Sequence, residues 1–442
     1  MTLAELELVL AKTRAGQMYG LMKELYPICR SITGNGVRET LARLGKRVPL
    51  HVHEVASGTP VFDWMVPLEW NVRDAYLATI DGHRVVDFRD NNLHVVGYSV
   101  PFQGRVSRDE LESHLHSLPE HPDWIPYRTS YYKGNWGFCL SHRERLELRA
   151  AEYDVRIEAT LEKGSLTYGE LLIPGESDQE ILISSHVCHP SLCNDNLSGI
   201  VVATMLAELL SGMARTYSYR FLFIPGTIGS ITWLARNQDQ VGRIQAGLVL
   251  TGIGDGGGVT YKQSRRGISL IDRAMAHVLK HRGKSYRIIE FYPYGYDERQ
   301  YCSPGFNLPV GCLMRTPHGE YPEYHTSADN LELVKAESLQ DSLDLVLNAL
   351  YVLENDTKPV SKNPFCEPQL GRRGLYRAIA GQKEGASSEM ALLWVLNMAD
   401  GEHSLLDIAE KAQIPFVAIH AASKLLEASG LVRANAVEAK ES

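Results

Sequence analysis

The sequence has no apolar run approaching the ~18 to 20 residues that a membrane-spanning helix requires, so a bilayer is not among its expected surroundings. It also lacks a basic cluster. Lys and Arg number 45 against 53 Asp and Glu, the net charge is -8, and no segment is dominated by cations, which argues against a nucleic-acid partner. Cysteine is sparse and odd in number: Cys29, Cys139, Cys188, Cys193, Cys302, Cys312 and Cys366 are scattered through 442 residues, which excludes a disulfide framework and predicts reduced thiols. The first twenty residues begin acidic, unlike a secretory leader, and the chain is expected in the cytoplasm. No internal repeat and no low-complexity tract is visible.

What remains is ordinary globular material, 44% apolar and 22% charged, long enough for two or three domains. Between 180 and 254, short apolar runs ("EILISS", "YRFLFIP", "GLVLTGIG") alternate with longer amphipathic ones ("NLSGIVVATMLAELLSG", "GSITWLARNQ"). That alternation predicts an α/β domain with a parallel sheet covered on both faces. Downstream, "ISLIDRAMAHVLKHRG" reads as a helix stopped by Gly283, "YRIIEFY" and "LPVGCLM" as strands, and "VKAESLQDSLDLVLNALYVLEND" as a long closing helix. The first 45 or so residues read as helices.

From about 60 to 160 the texture is mostly β, with strand-like runs on either side of Asp81-Gly82, a tight-hairpin dipeptide. Beyond 385 the pattern is three helices with a turn at Gln413-Ile414-Pro415, the winged-helix or helix-turn-helix arrangement, and 356–384 reads as a linker. Residues 385–442 hold four Lys or Arg against eight Asp or Glu, so this module is expected to pack or dock a partner rather than read DNA.

The chemistry concentrates in "ISSHVCHPSLCNDNLSGI", residues 183–200. His186 should stand at the carboxyl edge of the sheet, and Asp195 follows nine residues later at a helix start. A neutral imidazole and a carboxylate from adjacent loop ends suit a divalent cation such as zinc. The same residues could equally be a strand-end hydrogen bond and an N-cap. Far downstream, "YDERQYCSPGFNLPVGCLMRTPHGEYPEYHTSADNLELV" (296–334) crowds Asp, Glu, Arg and His into loops, and His325 is the best second imidazole.

The strings "HVCHPSLCNDNLSG", "PGTIGS", "DERQYCSPGFNLPVG" and "YPEYHTSADN", with "RSITGNGVRETL" and "SGTPVFDWMVPLEW" near the start, resemble the bacterial aminopeptidase-like family often found with polysaccharide or natural-product biosynthesis genes. The resemblance covers nearly the whole chain. It implies a zinc-aminopeptidase-like (phosphorylase/hydrolase-like) α/β domain over 1–60 and 161–360, an inserted mostly-β domain over 61–160 and a winged-helix module over 385–442. It implies zinc, one ion or two, held by His186, Asp195 and His325, with His189 as a substitute for His186.

One departure limits what is carried over. The wider clan has two adjacent glutamates after the next strand, a base and a ligand, where this sequence reads Gly226 and Thr227 in "FIPGTIGS". One zinc is then the economical picture, which Asp255 or Asp297 could complete. The base must come from elsewhere: Glu298 first, with Asp297 beside it and Glu320 and Glu323 behind. Asp297 could pair with a substrate amine, and Arg299 or Arg315 could clamp a carboxylate; alternatively Asp297 and Arg299 pair with each other.

The expected activity is zinc-dependent, aminopeptidase-like hydrolysis of an amide bond in a small peptide or aminoacyl conjugate. Metal-dependent acyl transfer or cyclisation is one alternative, and a non-catalytic binding or scaffold protein on a degenerate peptidase fold is another. The aromatic-rich β module either lids the cleft or forms a contact in a homo-oligomer.

Overall fold

The computed structural model describes residues 1–375 and 385–436. Residues 376–384 of the expected linker and 437–442 of the expected winged-helix module lie outside the described residues. One sheet organises the chain. Its strands are β1 (His51–Ala56), β2 (Ser165–Ile173), β3 (Glu180–His186), β4 (Ser218–Ile224), β5 (Ile244–Leu250), β6 (Val259–Lys262), β7 (Tyr286–Ile289) and β8 (Val310–Met314), in spatial order β1-β2-β4-β3-β5-β8-β6-β7.

The central strands β4, β3, β5 and β8 run parallel, β1 and β2 pair antiparallel with their neighbours, and β6 pairs antiparallel with β8 and parallel with β7. Every residue of β3 and β4 is buried, which explains their unbroken apolar character. Successive side chains go to opposite faces: Ile181 and Ile183 join Leu206 and Leu343 of the helices Ser198–Ser211 and Ala336–Asn355, whereas Leu182 joins Trp233 of Ile228–Arg236.

An antiparallel sheet, ordered Arg84–Asp87, Glu69–Ala78, Glu152–Glu162, Phe102–Ser107, is inserted between β1 and β2. Its hairpin turns at Asp81-Gly82, where Gly82 takes φ 87°, a conformation that costs glycine least. The run "NLHVVGYSV" after it is a 3₁₀ turn and loop instead of a strand. There, side chains take up backbone partners: His94 Nδ1 lies 2.8 Å from the Cys139 carbonyl oxygen, and Ser99 Oγ donates to the Val96 carbonyl at 2.6 Å.

The C-terminal module has helices Gly385–Met398, Leu405–Ala412 and Phe416–Ala428 and a strand, Val432–Ala436, paired antiparallel with Thr357–Ser361. The module therefore begins inside the segment that reads as linker, because the pairing partner of 357–361 lies far downstream and leaves no local signal. Arg273 reaches Asp407 at 2.7 Å, and the Phe416 N–H donates to His277 Nε2 at 3.0 Å, fixing the module to the α/β domain. Among the described residues no helix is long and apolar enough to cross a membrane.

A buried ion cluster crosses three strands of the sheet. Arg220 of β4 donates to Glu180 of β3 through Nε (2.5 Å) and Nη2 (2.7 Å), and its Nη1 meets Glu170 of β2. Arg220→Ala leaves two acids buried without their cation and is expected to destabilise the protein by about 3–5 kcal/mol. Urea unfolding followed by circular dichroism checks this; an unchanged midpoint would contradict it.

Candidate active site

His186 is the last residue of β3, at the carboxyl edge of the parallel strands. The chain then turns through 187–197 before entering the helix Ser198–Ser211. Within that turn the Asp195–Asn196 peptide bond is cis. Three acceptors hold the turn in place. Asp329 receives the backbone N–H groups of Cys193 (3.1 Å), Asn194 (2.5 Å) and Asp195 (2.9 Å). The Asn194 amide oxygen accepts from Gly254 N (2.9 Å) and Asp255 N (3.1 Å), tying the turn to the end of β5. The Asn196 amide oxygen accepts from Gly252 N at 3.3 Å and Gly199 N at 3.2 Å.

The carboxylate that this turn presents is fully buried, and imidazoles converge on it. His186 Nε2 lies 2.8 Å from Asp195 Oδ1, His325 Nε2 3.0 Å from Oδ2, and His189 Nε2 3.6 Å from Oδ2. Donor atoms of His186, His189 and Asp195 lie within 4.8 Å of one another, a grouping that could hold a metal ion. Burial alone would raise the Asp195 carboxyl, but the imidazoles around it, His189 foremost and His186 and His325 through their hydrogen bonds, hold it well below the ordinary range. Burial, with His186, His325 and Arg30 nearby, pushes His189 down to about 3, against the pull of Asp195, so its imidazole is neutral near pH 7 and able to act as a ligand.

Aromatic rings fix the imidazoles. Tyr296 stacks on His186 at 5.0 Å, Tyr324 stacks on His325 at 3.9 Å, and Tyr127 meets His325 edge-on at 5.1 Å. Tyr127 belongs to the inserted segment, and its backbone N–H donates to the His325 carbonyl at 2.7 Å. Ile125 and Ser327 exchange two more bonds beside it, at 2.8 and 3.0 Å.

The other expected site residues divide. Asp297 is fully buried near His186: a Cβ on Gly226 would lie 3.2 Å from His186 Cβ and 3.5 Å from Asp297 Oδ2. The Asp297 carboxyl thus sits against the space that the missing side chain of residue 226 leaves open. Ser230 donates to its Oδ1 at 2.8 Å, its Oδ2 has no partner, and burial pushes it up to about 6 against the pull of His186.

Glu298, the first candidate base, is committed elsewhere. Its carboxylate forms a buried ion pair with Lys262 at 2.8 Å and accepts from the Tyr296 N–H at 3.1 Å. Arg315 is likewise removed from the clamp role, bonding Asp341 at 2.9 Å and the Gly257 carbonyl at 2.9 Å. Asp255 serves the loop frame, accepting from Asn194 and Thr316 at 3.0 and 2.8 Å, and Glu320 pairs with exposed Arg287 at 2.8 Å. Glu323 gives its backbone carbonyl to Thr326. Arg299 lines a cleft of about 560 Å³ that opens from His189 and His325.

One participant was expected only as a substitute, and another escapes a reading of the sequence alone. His189 is in the cluster together with His186, not in place of it, and the "HVCH" spacing just past a strand end was the available signal. Asp329 carries the turn, and only its place in "TSADN" after His325 hinted at that. All seven cysteines are free, and Cys188 lies against His189 with its thiol pushed up by burial.

Residues 19–356 match a family model described as a domain of unknown function (DUF4910), and residues 357–434 match a winged helix-turn-helix model. A Clostridium acetobutylicum protein whose name gives a proposed polysaccharide biosynthesis role and an aminopeptidase-like domain is 52% identical over 93% of this chain and 94% of its own length. A crystal structure of a proposed peptidase from the same organism superposes with a TM-score of 0.91 at 49% identity, covering 95% of this chain and 96% of that one. A zinc aminopeptidase from Bacillus subtilis shares the fold, with a TM-score of 0.57 at 12% identity over 77% of this chain and 95% of that one. The architecture is the zinc-aminopeptidase α/β fold carrying a C-terminal winged helix.

Asp329→Ala leaves three backbone donors of the turn that carries Asp195 without their acceptor, and if this turn holds zinc the substitution is expected to weaken that affinity by about 10- to 100-fold. Competition against a chromophoric chelator measures it. An affinity equal to that of the parent protein would show that the turn holds its shape without Asp329.

Proposed function

From a chain that belongs to the DUF4910 family, we propose a metal-dependent hydrolase that cleaves an amide bond in a small peptide or aminoacyl conjugate. The observation that carries this reading is the convergence of His186, His189 and His325 on the buried Asp195 carboxylate. The donor set fits zinc: imidazole nitrogens, one held neutral, and a carboxylate held ionised, with ordered second contacts behind them. His186, Asp195 and His325 would hold the ion, with His189 within reach. A bound zinc supplies Lewis acidity and lowers the pKa of a water to near neutrality.

Asp297 takes the role of base in this reading. Its Oδ2 is unpartnered, Ser230 orients it through Oδ1, and an affinity for protons near pH 6 suits an acceptor that must later give the proton back. Asp297 Oδ2 takes the proton of the attacking water and returns it to the leaving nitrogen. Gly226 and Thr227 provide no acid for a second ion, so one zinc is the reading favoured. The same absence favours, as a second reading, a scaffold that keeps the fold without turnover.

Metal content and turnover decide between them. Purified protein should carry zinc and cleave dipeptides or aminoacyl amides. His186→Ala, Asp195→Ala and His325→Ala should each lose metal and activity together. Asp297→Asn should keep its zinc while turnover falls by about 10²- to 10⁴-fold. Stoichiometric zinc with no cleavage of any amide would favour the scaffold; zinc-free protein prepared without chelator would sink the metal reading.

A further inference from the structure

The cleft beside the cluster has an unusual charge. Its walls come from two parts of the chain: Trp64, Arg128, Tyr131 and Tyr132 of the inserted segment, and Ile231 and Arg299 of the α/β domain. No Asp or Glu is among the described residues lining it. Arg299 Nε is shut off from solvent without a hydrogen-bond partner, and among the described residues its guanidinium enters no ion pair, Asp297 being near enough only to feel its charge. A buried, unpaired guanidinium donor costs free energy, and proteins keep such groups where a ligand completes them.

The sign decides which end of a substrate fits. A free α-ammonium entering this cleft would meet two guanidinium groups on its walls and an acid only behind the imidazoles of His189 and His325, whereas a carboxylate is drawn to those guanidinium groups, whose paired N–H donors suit it. The apolar walls add a second constraint. Trp64 and Tyr132 stand 5.9 Å apart at the mouth, each about half exposed (51% and 54%), which leaves large aromatic faces free to cover a partner.

We infer that this site recognises its substrate by a carboxylate held at Arg299, next to an aromatic or branched apolar group laid against Trp64, Tyr131 and Tyr132. The substrate class is an N-acylated amino acid or a short peptide with a free C-terminal carboxylate, in place of the free amino terminus that an aminopeptidase requires. The choice of the amide as the bond broken rests on the hydrolase reading above; the choice of the group bound does not.

Binding tests this without requiring turnover. Zinc-loaded full-length protein is titrated with N-acetylphenylalanine, N-acetylphenylalaninamide and phenylalaninamide, followed by calorimetry. The acid is expected to bind at least about 10-fold more tightly than either amide. Arg299→Gln should erase that preference with zinc content unchanged, and Arg299→Lys should restore only part of it. Equal or tighter binding of the amides, or a preference that survives Arg299→Gln, overturns the inference. Carboxylate preference without cleavage of any acylated amino acid sinks the hydrolase reading and leaves this one standing. Cleavage of free-amine substrates with no carboxylate preference does the reverse.

Discussion

The site depends on one expensive act, the complete burial of the Asp195 carboxylate at the edge of the sheet. An isolated ionised acid in that position would pick up a proton or unfold its loop. It stays charged because imidazoles from two distant segments surround it, and because Asp329 anchors the backbone beneath it through three N–H bonds. Asp329 feels the opposing pressure: burial, helped by the Asp195 charge, pushes its carboxyl up to about 7 against those same three bonds. Two acids thus share one small region, one presented to the imidazoles and one to the backbone. The sheet makes this division possible by bringing His186, the 193–197 turn and the loop after β5 to a common edge.

How much of this was readable in the sequence follows from the range of each interaction. The parallel sheet was legible because fully buried strands are written as continuous apolar runs, as in "EILISS" and "YRFLFI". His186 and Asp195 were legible because both lie at ends of such elements, where polar residues need a reason. Glu298 and Arg315 misled for the opposite cause. Their neighbourhood in "YDERQ" and "LMRTP" looks like cleft chemistry, but Lys262 and Asp341, which neutralise them, lie 36 and 26 residues away and are fixed only by the fold. The pairing of Thr357–Ser361 with Val432–Ala436 was hidden in the same way.

Asp297 shows how a fold can fill a vacated volume from another segment. The clan pattern would place an acid after β4, and this chain has glycine there. The vacated volume is approached instead by an acid from the loop before β8, so that loss of a side chain in one segment and burial of a carboxylate from another are a single packing solution. A comparison of aligned positions alone would record only the loss.

The bond from Tyr127 N–H to the His325 carbonyl joins the inserted lobe to the cluster itself. His325 sits at φ 56°, a backbone state that a non-glycine residue keeps only when its surroundings enforce it, and Tyr127 and Tyr324 are those surroundings. Any swing of the lobe that widens the entrance therefore pulls on the third imidazole. With a cation held as proposed, occupancy of the cleft and grip on that ion would be linked quantities, and by thermodynamic reciprocity whatever clamps the lobes together would also hold the ion more firmly, while its loss would loosen the door.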